Sequence, residues 1–120
     1  MKTEPLELIV RRIGANIPVM ELRGEVDVYT APKFKSAMVE LIDAGCYDIV
    51  VNLGNVQYMD SAGLGALVSG LKRVREHNGT IGLVSPTVPV QRVLDITRLS
   101  KILGIYPTEA AAIHAIEDHA

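Results

Sequence analysis

The residues whose types and spacing could do chemistry gather in one stretch, Tyr58-Met59-Asp60-Ser61-Ala62-Gly63-Leu64-Gly65. A hydroxyl beside a carboxylate can serve as a nucleophile, as a phosphate acceptor, or as a helix cap. Asp and Ser both favour the N-cap position, where a side-chain oxygen accepts from a backbone N–H that the helix leaves unpaired. A serine nucleophile also needs a base within reach. The three histidines, His77, His114 and His119, fall at expected helix ends, remote from Ser61 in sequence. None makes a pair with a carboxylate at metal-ligand spacing, and helix C-termini favour cations, so plain surface roles are expected. Cys46 flanks an expected helix end and is expected to fill space. The stretch is not a phosphate-binding loop of the Gly-x-x-x-x-Gly-Lys-Ser/Thr kind. Gly63-x-Gly65 lacks the third glycine of a dinucleotide fingerprint, and Ser61 does not sit in a Gly-x-Ser-x-Gly elbow. Catalysis is therefore not expected, nor a metal or cofactor, and a serine-nucleophile enzyme is kept only as a rival reading.

The elements that must position Ser61 follow from hydrophobic spacing. Leu6, Leu8 and Val10 alternate with Glu7, Ile9 and Arg11, and Met20 and Leu22 alternate with Glu21 and Arg23. Period two predicts two strands, joined by a turn at Gly14-Ala15-Asn16, with Pro18 tolerated near a strand end. Gly24 to Thr30 is expected as a connector. Pro32 then opens a helix whose stripe is Phe34, Ala37, Met38, Leu41 and Ile42, ended at Gly45. Ile49 to Leu53 is nearly continuous in apolar character and predicts a central strand covered on both faces. A short loop is expected to lead from it to Asp60. A second helix, from about Ser61 to His77, carries Leu64, Leu67, Val68, Leu71 and Val74, with Lys72, Arg73 and Arg75 in its last turns. A strand at Ile81–Val84, a short helix with Val90, Val93 and Leu94, a strand with Ile102, Leu103 and Ile105, and a last helix opened by Pro107 and Thr108 complete the order. Glu109 falls in the last helix's first turn, with Ile113 and Ile116 expected inward. The fold class is α/β in the order β-β-α-β-α-β-α-β-α, a mixed, mostly parallel sheet with an N-terminal hairpin and about four helices. Residues 1–120 are expected to form one domain.

Three glycines inside the second helix, Gly63, Gly65 and Gly70, are unexpected, since each costs up to about 1 kcal/mol relative to Ala. With Ala62, Ala66 and Ser69 they predict a bare helix face that lets another backbone approach. In such sheets binding usually occurs at the C-terminal ends of the strands, where Ser61 falls.

Composition narrows the partners. A net charge of −2 and a scarcity of aromatic residues, four Tyr and one Phe without Trp, argue against nucleic-acid binding. One cysteine excludes an internal disulfide and suits a reducing compartment. The acidic start lacks a signal-peptide run and no stretch approaches the ~20 apolar residues of a membrane span, so a cytoplasmic location is expected.

The chain resembles the anti-sigma-factor antagonists, which are built on the STAS domain. Two motifs carry the resemblance: Leu22-Arg23-Gly24-Glu25-Val26-Asp27 followed by Thr30-Ala31-Pro32, and Val50-Val51-Asn52-Leu53 leading to Tyr58-Met59-Asp60-Ser61-Ala62-Gly63-Leu64-Gly65. The element order also agrees, so the resemblance spans nearly the whole chain. It implies a partner switch with Ser61 as phosphoacceptor and Asp27 near the phosphoserine. The implied partners are an anti-sigma factor that is also a serine kinase of the histidine-kinase-like ATPase fold, and a metal-dependent serine phosphatase. The unmodified form would bind the kinase and free the sigma factor; phosphorylation would end the contact. Asp27, Asp60, Ser61, Ala62, Gly63 and Gly65 are the expected partner-binding residues. Many members of that family carry Ser or Thr where this chain has Ala62, so a single hydroxyl is offered. A monomer or weak dimer is expected. The alternatives are a scaffold subunit of a signalling assembly and a module that binds a nucleotide or lipid.

Overall fold

The computed structural model describes residues 5–13 and 17–118. The expected turn at Gly14-Ala15-Asn16 and His119 lie outside these. Strands β1 (Glu7–Ile13) and β2 (Ile17–Val26) precede helix α1 (Ala31–Asp43). Then come β3 (Asp48–Met59), α2 (Ser61–Arg75), β4 (Thr80–Val84), α3 (Val88–Ile96), β5 (Gly104–Tyr106) and α4 (Glu109–Asp118). The five-stranded sheet has the order β1-β2-β3-β4-β5. β1 and β2 pair antiparallel and the remaining neighbours pair parallel, which is the expected fold class.

Side-chain parity divides the sheet into two layers. Met20, Leu22, Ile49, Val51, Leu53 and Leu83 face α1, α2 and α3 in the larger core. Val19, Val50 and Val84 face the other way, onto Ala112 and Ile116 of α4. Ile49 to Leu53 is therefore covered on both sides, as its unbroken apolar run requires. Phe34, Met38, Leu41 and Ile42 of α1 are buried as its periodicity predicts. The chain leaves that helix through Gly45 at φ +95, the left-handed conformation that glycine takes without steric penalty.

The structure corrects four expectations. First, Gly24, Glu25 and Val26 belong to β2, so the connector to α1 is confined to residues 27–30. Second, no loop separates β3 from Asp60: the strand runs on through Gly54, Asn55 and Tyr58 to Met59. Its pairing with β2 shifts register between Glu21 and Arg23, opposite Asn52 and Asn55, and again between Gly24 and Glu25, opposite Val56 and Tyr58. Each shift inserts an extra β3 residue, which is a β-bulge. The inserted residues turn a period of two into the three-residue spacing of Leu53, Val56 and Met59, all buried. Asn52 supports the first bulge by accepting from the Gly54 N–H at 2.9 Å. Third, β5 starts at Gly104, after a 3-10 turn at Leu99–Lys101, and Ile102 and Leu103 lie outside it. Fourth, His114 is inside α4 and pairs with Asp118 at 3.4 Å.

Polar contacts tie α4 across the sheet to β1. Arg11 holds the Glu109 carboxylate with both terminal nitrogens, at 3.1 and 2.8 Å. It also reaches Glu21 at 3.1 Å. Asn52 donates to Glu109 at 2.7 Å.

Candidate functional site

Ser61 sits where three backbone segments converge. Val26 ends β2 opposite Met59, the last residue of β3. The Asp60 N–H donates to the Val26 carbonyl at 3.2 Å, fixing the start of α2 to the end of β2. Asp60 has extended backbone and is the N-cap; its Oδ1 accepts from Ala62 N at 2.9 Å and Gly63 N at 3.2 Å. Cap geometry thus decides between the two candidate residues. Because Asp60 takes the cap, Ser61 becomes the first helical residue and its side chain is released to the surface. Ser61 is exposed, and no hydrogen bond engages its hydroxyl among the described residues.

Asp27 is held the same way one strand over. Its Oδ1 accepts from Tyr29 N at 2.9 Å and Thr30 N at 3.0 Å. Thr30 Oγ1 donates to the Glu25 carbonyl at 2.7 Å and accepts from Asp27 N at 2.9 Å. Such side-chain turns fix a connector of four residues without regular structure. The register that sets Val26 against Met59 places Asp27 next to the Asp60-Ser61 corner, and Glu25 opposite Tyr58.

The glycines divide. Gly65 is exposed, and a Cβ there would meet nothing within 4 Å. Gly63 faces inward instead: its Cβ would come within 2.7 Å of Met59 Cγ and 2.9 Å of both Val26 Cγ1 and the Val26 carbonyl oxygen. At Gly70 a Cβ would come within 2.8 Å of Met38 Sδ on α1. The buried stripe of α2 is Gly63, Ala66, Leu67, Gly70, Leu71 and Val74, while Leu64 and Val68 are half-buried. Two of the three glycines thus admit neighbours inside this chain, and Gly63 does not lie on the outer face where it was expected. Ala62 is half-buried. The backbone that approaches closely is that of β2, and it locks the corner carrying Ser61.

Three side chains near the corner escape sequence reasoning. Tyr29 is 80 % exposed, Val28 62 % and Tyr58 48 %. Val28 and Tyr29 follow Asp27 directly, and Tyr58 precedes the Asp60 cap by two residues. An exposed apolar group costs nothing in periodicity, so alternation cannot reveal it; an aromatic residue in a strand-to-helix connector was the available signal. Exposed tyrosines beside polar groups are typical of docking surfaces.

The described histidines, His77 and His114, stay apart from this corner. His77 follows α2 at its far end and stacks on Tyr47 with ring centroids 4.0 Å apart. Cys46 is buried. Among the described residues no group of His, Cys, Asp and Glu could hold a metal ion, and no helix is long and apolar enough to cross a membrane.

Comparison with known proteins agrees with the fold. A family model described as the STAS domain matches residues 9–112. An anti-sigma-B factor antagonist of Staphylococcus epidermidis is 35% identical over 86 residues, covering 72% of this chain and 80% of that protein. An anti-sigma F factor antagonist of Paenibacillus polymyxa is 35% identical over 100 residues, covering 82% of this chain and 86% of that protein. In fold, an anti-sigma factor antagonist of Mycobacterium paratuberculosis superimposes with a TM-score of 0.86 at 24% identity, over 97% of this chain and 99% of that one. The Bacillus cell-fate determinant SpoIIAA in its phosphorylated form gives 0.75 at 21% identity, over 92% and 99%.

Proposed function

The chain belongs to the STAS-domain family of anti-sigma factor antagonists, and from that premise we propose that it is a phosphorylation-controlled binding protein rather than an enzyme. In its unmodified form it docks on an anti-sigma factor that is also a serine kinase, and so frees a sigma factor. Transfer of a phosphoryl group to Ser61 ends the contact, and a metal-dependent serine phosphatase restores it. The proposal takes residues 1–120 as one cytoplasmic domain.

The observation that carries this reading is the division of labour at the corner. Asp60 satisfies the helix start, at 2.9 and 3.2 Å from two backbone N–H groups. The Ser61 hydroxyl is therefore not needed for stability and is available to a kinase. A phosphate adds about −1.5 to −2 charges. At the first helical position it meets the positive end of the helix dipole, so the fold tolerates it. The same charge projects from a surface that already carries Asp27 and Asp60 and the apolar side chains Val28, Tyr29 and Tyr58. A partner that buries those groups around a bare hydroxyl must, after modification, desolvate a phosphate as well. Desolvating an unpaired charge costs several kcal/mol, and each ~1.4 kcal/mol is a tenfold loss of affinity. Release without unfolding follows.

The test is binding of the cognate kinase to the wild type and to Ser61→Ala, with and without ATP. ATP should release the wild type, whereas the variant should bind and stay bound. A variant that no longer binds in the absence of ATP, or a wild type that ATP leaves bound, contradicts the reading.

A further inference from the structure

The sheet ends at β1. β1 pairs with β2 through an unbroken register from Glu7–Arg23 to Ile13–Ile17. Its other side has no strand partner among the described residues. Edge strands are usually protected by proline, bulges, short length or charged side chains, and of these β1 carries the charges Glu7, Arg11 and Arg12. This one has seven residues, no proline and no bulge, and spans about 24 Å at ~3.4 Å per residue. Two large apolar side chains stand exposed at its middle, Ile9 at 44 % and Val10 at 41 %.

The strand's charges single out one pairing. In an antiparallel pair related by a two-fold axis perpendicular to the sheet, residues of equal parity face each other on the same side. With the axis at Ile9, Glu7 lies opposite the second copy's Arg11, and Arg11 opposite the second copy's Glu7. On the other face Leu8 meets the second copy's Val10, twice. Moving the axis to Val10 sets Arg11 against Ile9; moving it to Leu8 sets Glu7 against Ile9; neither matches charges. Arg11 already bonds Glu109 and Glu21 of its own chain, so the second copy's Glu7 would join that cluster. We propose that the chain forms a two-fold dimer through antiparallel β1–β1 pairing centred on Ile9, joining two sheets into one. Two seven-residue edges bury less than a standard stable interface, so the dimer is concentration-dependent. It does not use Ser61, and its presence or absence leaves the partner switch untouched.

Sedimentation equilibrium from micromolar to millimolar protein tests this. The apparent mass should rise from the 13.0 kDa of one chain toward twice that value. Ile9→Lys and Glu7→Lys, both at exposed positions, should remain at 13.0 kDa throughout. Ile9→Cys gives an independent readout, because opposed Cβ atoms in a strand pair lie about 4.5–5.5 Å apart, close enough for a disulfide to form after a small backbone adjustment. Under mild oxidation it should cross-link to a dimer, whereas Tyr29→Cys should not. A wild type that stays monomeric at millimolar concentration, a dimer that both lysine variants preserve, or equal cross-linking of the two cysteine variants overturns the proposal.

Discussion

Replacing Gly63 by Ala and, separately, Gly65 by Ala should move stability in opposite directions. In a helix interior Ala is favoured over Gly by about 1 kcal/mol, and both glycines lie in the first turns of α2. At Gly65 the new methyl meets nothing within 4 Å, so the variant should keep most of that gain. At Gly63 the methyl would lie 2.9 Å from the Val26 carbonyl oxygen and 2.7 Å from Met59 Cγ. That oxygen cannot retreat freely, because it accepts from the Asp60 N–H at 3.2 Å. Overpacking costs about 1–3 kcal/mol, and the upper part of that range applies where backbone must shift. The net loss at Gly63 should be about 1–2 kcal/mol, against a gain of about 0.5–1 kcal/mol at Gly65. At roughly 2–8 °C per kcal/mol for domains around this size, the two melting temperatures should lie clearly on either side of the wild type. Urea midpoints measured at constant slope provide the same comparison. A Gly63→Ala variant as stable as the wild type would refute the close approach of β2 to α2. Loss of stability at Gly65 would refute its free position.

Three further outcomes follow from the same geometry. Asp60→Ala should cost about 1 kcal/mol of stability, since two backbone N–H groups lose their acceptor; chemical denaturation measures it, and an unchanged midpoint contradicts the cap assignment. Arg11 holds the Glu109 carboxyl below the ordinary value of 4.5 by hydrogen bonding. Burial pushes the Glu21 carboxyl up, and the hydrogen bonds and charges of Arg23 and Arg11 together outweigh it and hold the group below 4.5. Depressed carboxyl pKa values contribute stability that is present above about pH 4.5 and is lost as pH falls through the lowered folded values. Arg11→Ala should therefore flatten the acid limb of the stability–pH curve, and an unchanged limb contradicts the tether. Tyr29→Ala should leave the melting temperature unchanged, because the side chain is 80 % exposed, yet weaken kinase binding about tenfold or more if it is an anchor of the docking surface; titration calorimetry reads both affinity and fold integrity.

Most of the fold was legible because burial imposes period. The α1 stripe and the doubly covered run Ile49–Leu53 follow from spacing alone. What escaped has specific causes. Gly54-Asn55 resembles a turn, and the two register shifts in β3 replace alternation by a spacing of three, so the sequence of this strand reads as a loop. The interior glycines of α2 pointed to close packing, but sequence cannot say whether the neighbour is internal or foreign. At Gly63 and Gly70 it is internal, and at Gly65 the surface is open. Asp60 and Ser61 were equal candidates for the cap, because both side chains suit it. Only the extended backbone of Asp60 and its two bonds assign it. The exposed Val28, Tyr29 and Tyr58 left no periodic trace. The tether from Arg11 to Glu109 links residues 98 positions apart, beyond the reach of any local pattern.

The account rests on Ser61 offering an exposed serine hydroxyl, free of the helix cap, for modification at this corner. Incubating the protein with its cognate kinase and ATP, then mapping the phosphate by fragment mass spectrometry, tests that most directly. The predicted result is a single phosphate on Ser61, with the helix content unaltered and the kinase released. Phosphate on Ser69, Thr30 or another hydroxyl, with Ser61 unmodified, would contradict it.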